Sequence, residues 1–349
     1  MAIFDAIAQE IILVTTVRPD GLTAKAAFDA AQARLAGVMD DFRKPAPPLA
    51  GDGVAEPDAF TTPVSREDYR AIVAKAKDYI RAGDIFQVVP SHRFRAPFSR
   101  DPFALYRSLR RMNPSPFLFY LNFGDFQLAG SSPEILVRLR DGKITIRPIA
   151  GTRPRGATPE EDQRLEAELR ADPKERAEHL MLLDLGRNDV GRVAMLKAQG
   201  ANQAQPVSRA PRVRVTDSFF IERYAQVMHL VSNVEGDAPE GLDPVDVLMA
   251  ALPAGTLSGA PKVRAMQIID ELEIEKRGIA YAGAVGYFGA DGSVDTCIVL
   301  RTACVKDGQV YVQAGGGVVV DSDPDAEYDE TLHKARAVRR AAEESWRFV

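Results

Sequence analysis

The chain has 349 residues, 46% hydrophobic and 27% charged, which excludes a disordered tail and leaves room for one large or two modest cores. Its 44 Lys and Arg against 49 Asp and Glu give a formal charge of −5, opposite in sign to the footprint of a nucleic-acid binder. No apolar run reaches the ~18 residues of a membrane helix. The N-terminus lacks a signal peptide's basic start. Cys297 and Cys304 alone make neither a disulfide framework nor a metal cluster, so a reduced cytoplasm is the expected compartment.

Residues 11–17 read as a strand, followed by an alanine-rich amphipathic helix ending near Phe42. A Pro- and Gly-rich linker (KPAPPLAGDGVAEPDAF) divides a partial N-terminal region, 1–60, from a main body over 61–349. Ser65 and Asp68 form a capping box for a helix over 66–82, and Asp101-Pro102 opens a second helix. FLFYL, FQLAG, EILVRL and KITIRPI, punctuated by Gly124-Asp125 and Asp141-Gly142, predict an antiparallel meander. Helices over 160–170 and 174–185 follow, then an irregular polar loop over 197–212. FFIERY and VMHLVSNV read as strands. A helix is expected with Pro261 at its first position, then three strands over 281–320 and a last helix over 324–344. Clustered helices and strands favour α+β over a doubly wound sheet.

Glu175 and Glu178 lie three apart on one predicted helix face, and Glu327 and Glu330 repeat the spacing, with Lys334 a turn beyond. Four carboxylates on two helices suit a hard cation such as Mg²⁺, or equally a solvated face with ion pairs. The run at Gly315, Gly316 and Gly317 admits close approach of an anion to backbone amides, or merely a turn; it is no dinucleotide fingerprint. His229, in VMHLVSN, is a packed strand histidine or a base. Glu134, after Ser131-Ser132-Pro133, is a general acid or a strand-end charge. Arg301 inside the apolar CIVLRTACV needs an anionic partner, a carboxylate or a bound substrate.

The segments GDIFQVVPS, SSPEILV, IRPIAGTRPRG, ERAEHLMLLDLGRNDVGRV, TDSFFIERYAQVMHLVSNVEG, LPAGTLSGAPKVRAM, YAGAVGYF, LRTA, QAGGGVVVDSDP and EYDETLHKA occur in one order. Over residues 61–345 they resemble the chorismate-utilising enzymes, and within that family component I of anthranilate synthase. The resemblance implies an α+β fold of two packed β-sheets with helices outside. It also implies a Mg²⁺-dependent lyase of tryptophan biosynthesis that adds ammonia to chorismate, then eliminates pyruvate. By motif position, Glu178 and Glu330 would bind Mg²⁺ directly, and Glu175 and Glu327 through water. Glu134 would protonate the leaving hydroxyl, and His229 would take the C2 proton. Tyr281 and Arg301 would hold the enolpyruvyl carboxylate, while Gly151, Thr152, Gly315, Gly316 and Gly317 meet other oxygens. Water-adding relatives look for a lysine where this chain has Gln87, and aminodeoxychorismate synthases carry one in PIKGT where this chain has Ala150. Both positions point to ammonia and anthranilate.

The alternatives are aminodeoxychorismate synthase component I and a truncated, non-catalytic paralogue. No glutaminase motif is present, so a glutamine amidotransferase subunit is the expected partner. The family's component I usually has a longer N-terminus, with an LLES serine that helps hold the inhibitor tryptophan. This chain begins after that region, as a truncation, a fragment or a natural short form would. Pro116, Phe117 and Leu118 would remain as one wall of that pocket. Losing the other wall's hydrogen bonds costs on the order of 2–5 kcal/mol, so tryptophan inhibition is expected to be lost. Gly186, where alanine is frequent in the family, is expected to be harmless.

Overall fold

The computed structural model describes residues 1–18, 20–46, 59–196, 212–224 and 227–349. Most of the expected linker and all of the 197–212 loop except Arg212 lie outside them. The chain divides into two compact units, 1–49 and 50–349.

In the first unit, β1 (Ala2–Asp5) and β2 (Glu10–Leu13) pair antiparallel and precede α1 (Ala24–Arg43). The strand expected over 11–17 is thus shorter and belongs to a hairpin. Its turn is closed by the Asp5 carboxylate, which accepts from the amides of Ile7 and Ala8, both at 2.9 Å. Thr23 caps α1 by accepting from Ala26.

The second unit opens with α2 (Arg66–Arg81), whose Ser65–Asp68 capping box is present. Then come β3 (Gln87–Val88), β4 (Ser91–Pro97) and α3 (Pro102–Met112), the last capped by Asp101. Next are β5 (Phe117–Asn122), β6 (Phe126–Ser132), β7 (Ile135–Arg140), β8 (Lys143–Ile146) and β9 (Ile149–Pro154). Helices α4 (Pro159–Ala171) and α5 (Pro173–Ala194) precede the hairpin of β10 (Val213–Arg223) and β11 (Val227–Asp237). After α6 (Pro244–Ala251), α7 (Gly255–Ser258), β12 (Gly259–Ala260) and α8 (Lys262–Leu272), four strands follow. These are β13 (Ala284–Phe288), β14 (Val294–Ile298), β15 (Thr302–Lys306) and β16 (Gln309–Gly315), and α9 (Pro324–Glu343) comes after them.

Among the described residues the strands form two large antiparallel sheets. One has the order β4-β16-β15-β6-β5; the other runs β10-β11-β8-β7-β14-β13, with β9 also on β11. Helices α5 and α6 cover the larger sheet through a core that includes Val137, Ile144, Val190, Val193 and Val234. Helices α3 and α9 cover the smaller through Leu105, Leu109, Val312 and Val338. This is the expected α+β architecture.

Four sequence expectations are corrected. The predicted meander is two hairpins, β5-β6 and β7-β8, in different sheets, because Pro133 and Glu134 carry the chain across. The C-terminal strands number four among the described residues, and their chain also changes sheet, between β14 and β15. Helix α5 continues nine residues past Leu185, since Val190 and Val193 are fully buried and Asp189 is paired with Lys262 at 2.6 Å. Pro261 is the N-cap of α8, not its first residue. No helix among the described residues is long and apolar enough to cross a membrane.

Candidate active site

The two places where the chain passes from one sheet to the other lie side by side. Ile298 donates its amide to the Glu134 carbonyl at 3.0 Å, and Ser131 donates to the Arg301 carbonyl at 3.2 Å. The Glu134 and Arg301 side chains therefore start from one seam. Arg301 is not inside a strand, as the apolar run implied; it sits at the bend with φ of 49°, a left-handed conformation that a non-glycine residue holds only at a cost. Glu134 is 8% exposed. Burial pushes its carboxyl up to about 7, opposed by the positive charges of Arg301 and Lys334. A buried acid that is half protonated near neutrality suits general-acid work.

His229 lies on β11 opposite Thr152 of β9, where a register shift bends the pairing and Gly151 adopts φ of 64°. The His229 Nδ1 is 3.3 Å from the Gly151 carbonyl and 3.0 Å from the Thr152 hydroxyl. A carbonyl only accepts, so Nδ1 carries the proton and Nε2 presents its lone pair. Burial, reinforced by the Arg301 charge, lowers the imidazole pKa to about 4, so the ring is neutral at physiological pH. His229 and Arg301 share a cavity of about 20 Å³ with Tyr224, Pro133, Asn113 and Pro114.

The four glutamates converge from α5 and α9. Burial and the like charges of Glu175, Glu330 and Glu327 push the Glu178 carboxyl up to about 7, against the pull of Lys334. Glu327 is buried, and its Oε2 has no hydrogen-bond partner. Glu175 accepts from Arg153 at 3.1 Å, and Glu330 pairs with Lys334 at 2.6 Å. Hard carboxylate oxygens in excess of nearby cations make a donor set that fits a divalent ion. Among the described residues, however, no three potential ligands form a ready-made shell.

The glycine run lies at the end of β16, against the same carboxylates. A Cβ on Gly316 would meet Glu327 Oε2 at 2.7 Å, and one on Gly317 would meet Gln87 Nε2 at 2.4 Å and Glu178 Oε1 at 3.8 Å. A Cβ on Gly315 would meet the Tyr281 hydroxyl at 2.8 Å. Tyr281 is buried, with the Arg277 guanidinium 5.2 Å from its ring centroid. The Gly316 amide already donates to the Pro90 carbonyl at 3.3 Å, which engages one of the amides expected to face substrate. Gln87 is 2% exposed, and its Oε1 has no partner.

Gln87 is held by β12, where Gly259 has φ of 135° and a Cβ would stand 2.2 Å from the Gln87 carbonyl. Gly259→Ala should therefore lower stability by about 3 kcal/mol or more, through backbone strain and overlap with backbone. Urea unfolding checks this, and a loss under about 1 kcal/mol would contradict it.

Several residues at the site were not legible in the sequence. Tyr224 packs its ring at 64° to that of His229, with centroids 5.6 Å apart. Thr256 lines a second cavity, of about 30 Å³, with Glu134, Gly186 and Asp189. Arg153 neutralises Glu175, as Lys334, which the sequence did place a turn beyond Glu330, neutralises that glutamate. Only the polar character of IRPIAGTRPRG and the Glu330–Lys334 spacing hinted at these partners. Phe117 and Leu118 begin β5 opposite Ser132 and Ser131, one turn of chain from Glu134, and Pro116 precedes them, exposed.

The profile of chorismate binding enzymes matches residues 3–340. Anthranilate synthase component 1 of Cereibacter sphaeroides is 58% identical over 100% of this chain and 67% of its own length. That of Pseudomonas aeruginosa is 50% identical over 98% and 66%. The chain spans about two thirds of the length of the curated relatives it matches. Among solved structures, anthranilate synthase component I from Streptococcus pneumoniae aligns with TM-score 0.83 and 40% identity, covering 97% of this chain and 72% of that one. The menaquinone-specific isochorismate synthase of Escherichia coli aligns with TM-score 0.71 and 25% identity over 86% and 65%. With an acid and an arginine at the crossovers between two sheets, a neutral imidazole sharing the arginine's cavity and four carboxylates on α5 and α9, and with this profile matching nearly the whole sequence, the chain belongs to the chorismate-binding enzyme family.

Proposed function

We propose that this chain converts chorismate and ammonia to anthranilate and pyruvate, as a Mg²⁺-dependent lyase of tryptophan biosynthesis. The observation that carries the reading is the pairing of a buried acid poised near pH 7, Glu134, with a neutral imidazole, His229, beside one arginine. Ammonia adds at C2 of chorismate while Glu134 gives its proton to the departing C4 hydroxyl, which leaves as water. His229 Nε2 then takes the C2 proton, the C–H electron pair forms the last ring double bond as the ether bond to the enolpyruvyl group breaks, and the departing enolpyruvate takes up a proton to become pyruvate. Arg301 and Tyr281 hold the enolpyruvyl carboxylate, and Gly151, Thr152 and the 315–317 segment border the substrate.

Glu178 and Glu330 would hold Mg²⁺ directly, with Glu175 and Glu327 acting through water. This ion commonly takes one or two carboxylates and keeps several waters. When bound, it supplies positive charge to the ring carboxylate of chorismate.

Gln87 favours ammonia as nucleophile, since no lysine stands there to activate water, and Ala150 leaves no amine to attack in its place. The relatives are named as component 1, which supports a second component; a glutamine amidotransferase would supply ammonia. The cytoplasm is the compartment that suits this chemistry. Incubation with chorismate, Mg²⁺ and an ammonium salt should yield anthranilate, identified by fluorescence and mass. A water adduct as main product would overturn the reading.

A further inference from the structure

We propose that Tyr224, anchored by Glu222, is a positioning residue that holds the His229 imidazole in the orientation its proton abstraction requires. The inference rests on the role given to His229 above. An imidazole turns freely about its outer side-chain torsion, which is broad and roughly two-fold. The contacts of Nδ1 to Gly151 and Thr152 secure one edge of the ring. The edge-to-face contact of Tyr224, at 5.6 Å and 64°, is what restrains its plane.

Tyr224 is itself immobilised from three directions. Its hydroxyl donates to Glu222 Oε2 at 2.9 Å, its amide donates to the Val227 carbonyl at 2.8 Å, and its own carbonyl accepts from Arg155 at 2.9 Å. Glu222 is in turn paired with Arg147 through its other oxygen, and it faces His229 directly across the β10-β11 pair. Arg147, Glu222 and Tyr224 thus form a brace around the histidine, whose hydrogen bonds among the described residues all use Nδ1 and none Nε2. Burial and the bond to Glu222 push the phenol up to about 12, so it remains a donor across the working range.

The test compares wild type, Tyr224→Phe, Tyr224→Leu and, as reference, His229→Met. Chorismate consumption and the ratio of amino intermediate to anthranilate are read by chromatography and mass. Tyr224→Leu should lower anthranilate formed per chorismate consumed by about tenfold, as misplacement of a reacting group does, while chorismate consumption stays within about twofold. Tyr224→Phe, which keeps the ring and loses the anchor, should shift the ratio by about two- to threefold. Equal loss of both steps, or an unchanged ratio in a folded Leu variant, overturns the brace. If the Leu variant does not fold, the same readouts on the Phe variant decide.

A second readout needs no turnover. In ¹⁵N-histidine spectra of a chain with four histidines, the His229 signal, identified by its loss in His229→Met, should report protonated Nδ1 and bare Nε2 in wild type. It should report mixed tautomers in Tyr224→Leu. Identical His229 signals in both overturn the proposal even if wild type makes no anthranilate, an outcome that by itself counts against the proposed reaction and not against the brace.

Discussion

Glu134→Gln should stop the conversion of chorismate at the start, with a loss of about 10²–10⁴-fold, the range of a general acid. The amide keeps the volume and hydrogen-bonding reach of the carboxyl but has no proton to give to a hydroxyl that leaves poorly as hydroxide. His229→Met should instead consume chorismate and release the amino intermediate, so the two variants stall at different species. If both stalled at the same one, the division of roles would be wrong.

The pH dependence follows from the same buried acid. Glu134 must be protonated to act, and its carboxyl is pushed up to about 7. The rate of the first step should fall tenfold per unit above that pH. His229, lowered to about 4, is already neutral from about pH 5 upward and adds no acid limb in the neutral range. Stability moves in the same direction. A carboxyl raised from 4.5 to about 7 on folding binds its proton more tightly in the folded state. Its favourable contribution is complete below 4.5 and is lost as pH rises through 7, about 3 kcal/mol in all. The Gln variant lacks this titration, so its stability relative to wild type should improve between pH 5 and 8, roughly the span of the shift. A rate profile flat to about pH 9 would show that Glu134 is not the acid.

The second large effect is expected at the carboxylate cluster. Glu178→Gln and Glu330→Gln should each lower activity by about a hundredfold or more, and Glu175→Gln and Glu327→Gln by less, as groups acting through water do. Stability separates metal loss from misfolding. Mg²⁺ at about 100 times its Kd should stabilise wild type by about 2.7 kcal/mol, and this gain should vanish in the first two variants. In the absence of Mg²⁺, Glu178→Gln should be at least as stable as wild type, because it removes one of four mutually repelling carboxylates. Full activity of both direct-ligand variants in Mg²⁺ would sink the assignment.

Much of the fold was legible because its signals are local. The Ser65–Asp68 box and the Asp101-Pro102 start depend on residues within one helical turn, and both are present. The hairpins β5-β6 and β7-β8 were readable from alternation and from glycines at their turns. The spacing of Glu175 with Glu178, and of Glu327 with Glu330, placed each pair on one helix face. Spacing alone left both a solvated and a functional face open, and it is the resemblance carried by the ordered motifs that implies the functional one.

What remained undecided in the residues were contacts made at long range. Nothing near Glu134 or Arg301 in the chain announces that each sits where it leaves one sheet for the other; the backbone bonds between the two crossovers settle that. The protonation state of His229 depends on Gly151 and Thr152, 78 and 77 positions away, whereas Tyr224, which packs on its ring, is only five positions back across the β10-β11 turn. Element types, caps and family follow from patterns of residues along the chain. Which carboxyls are raised and which imidazole nitrogen carries the proton follow from the folded surroundings, because desolvation and hydrogen-bond direction are properties of the assembled site, not of a residue's neighbours along the chain.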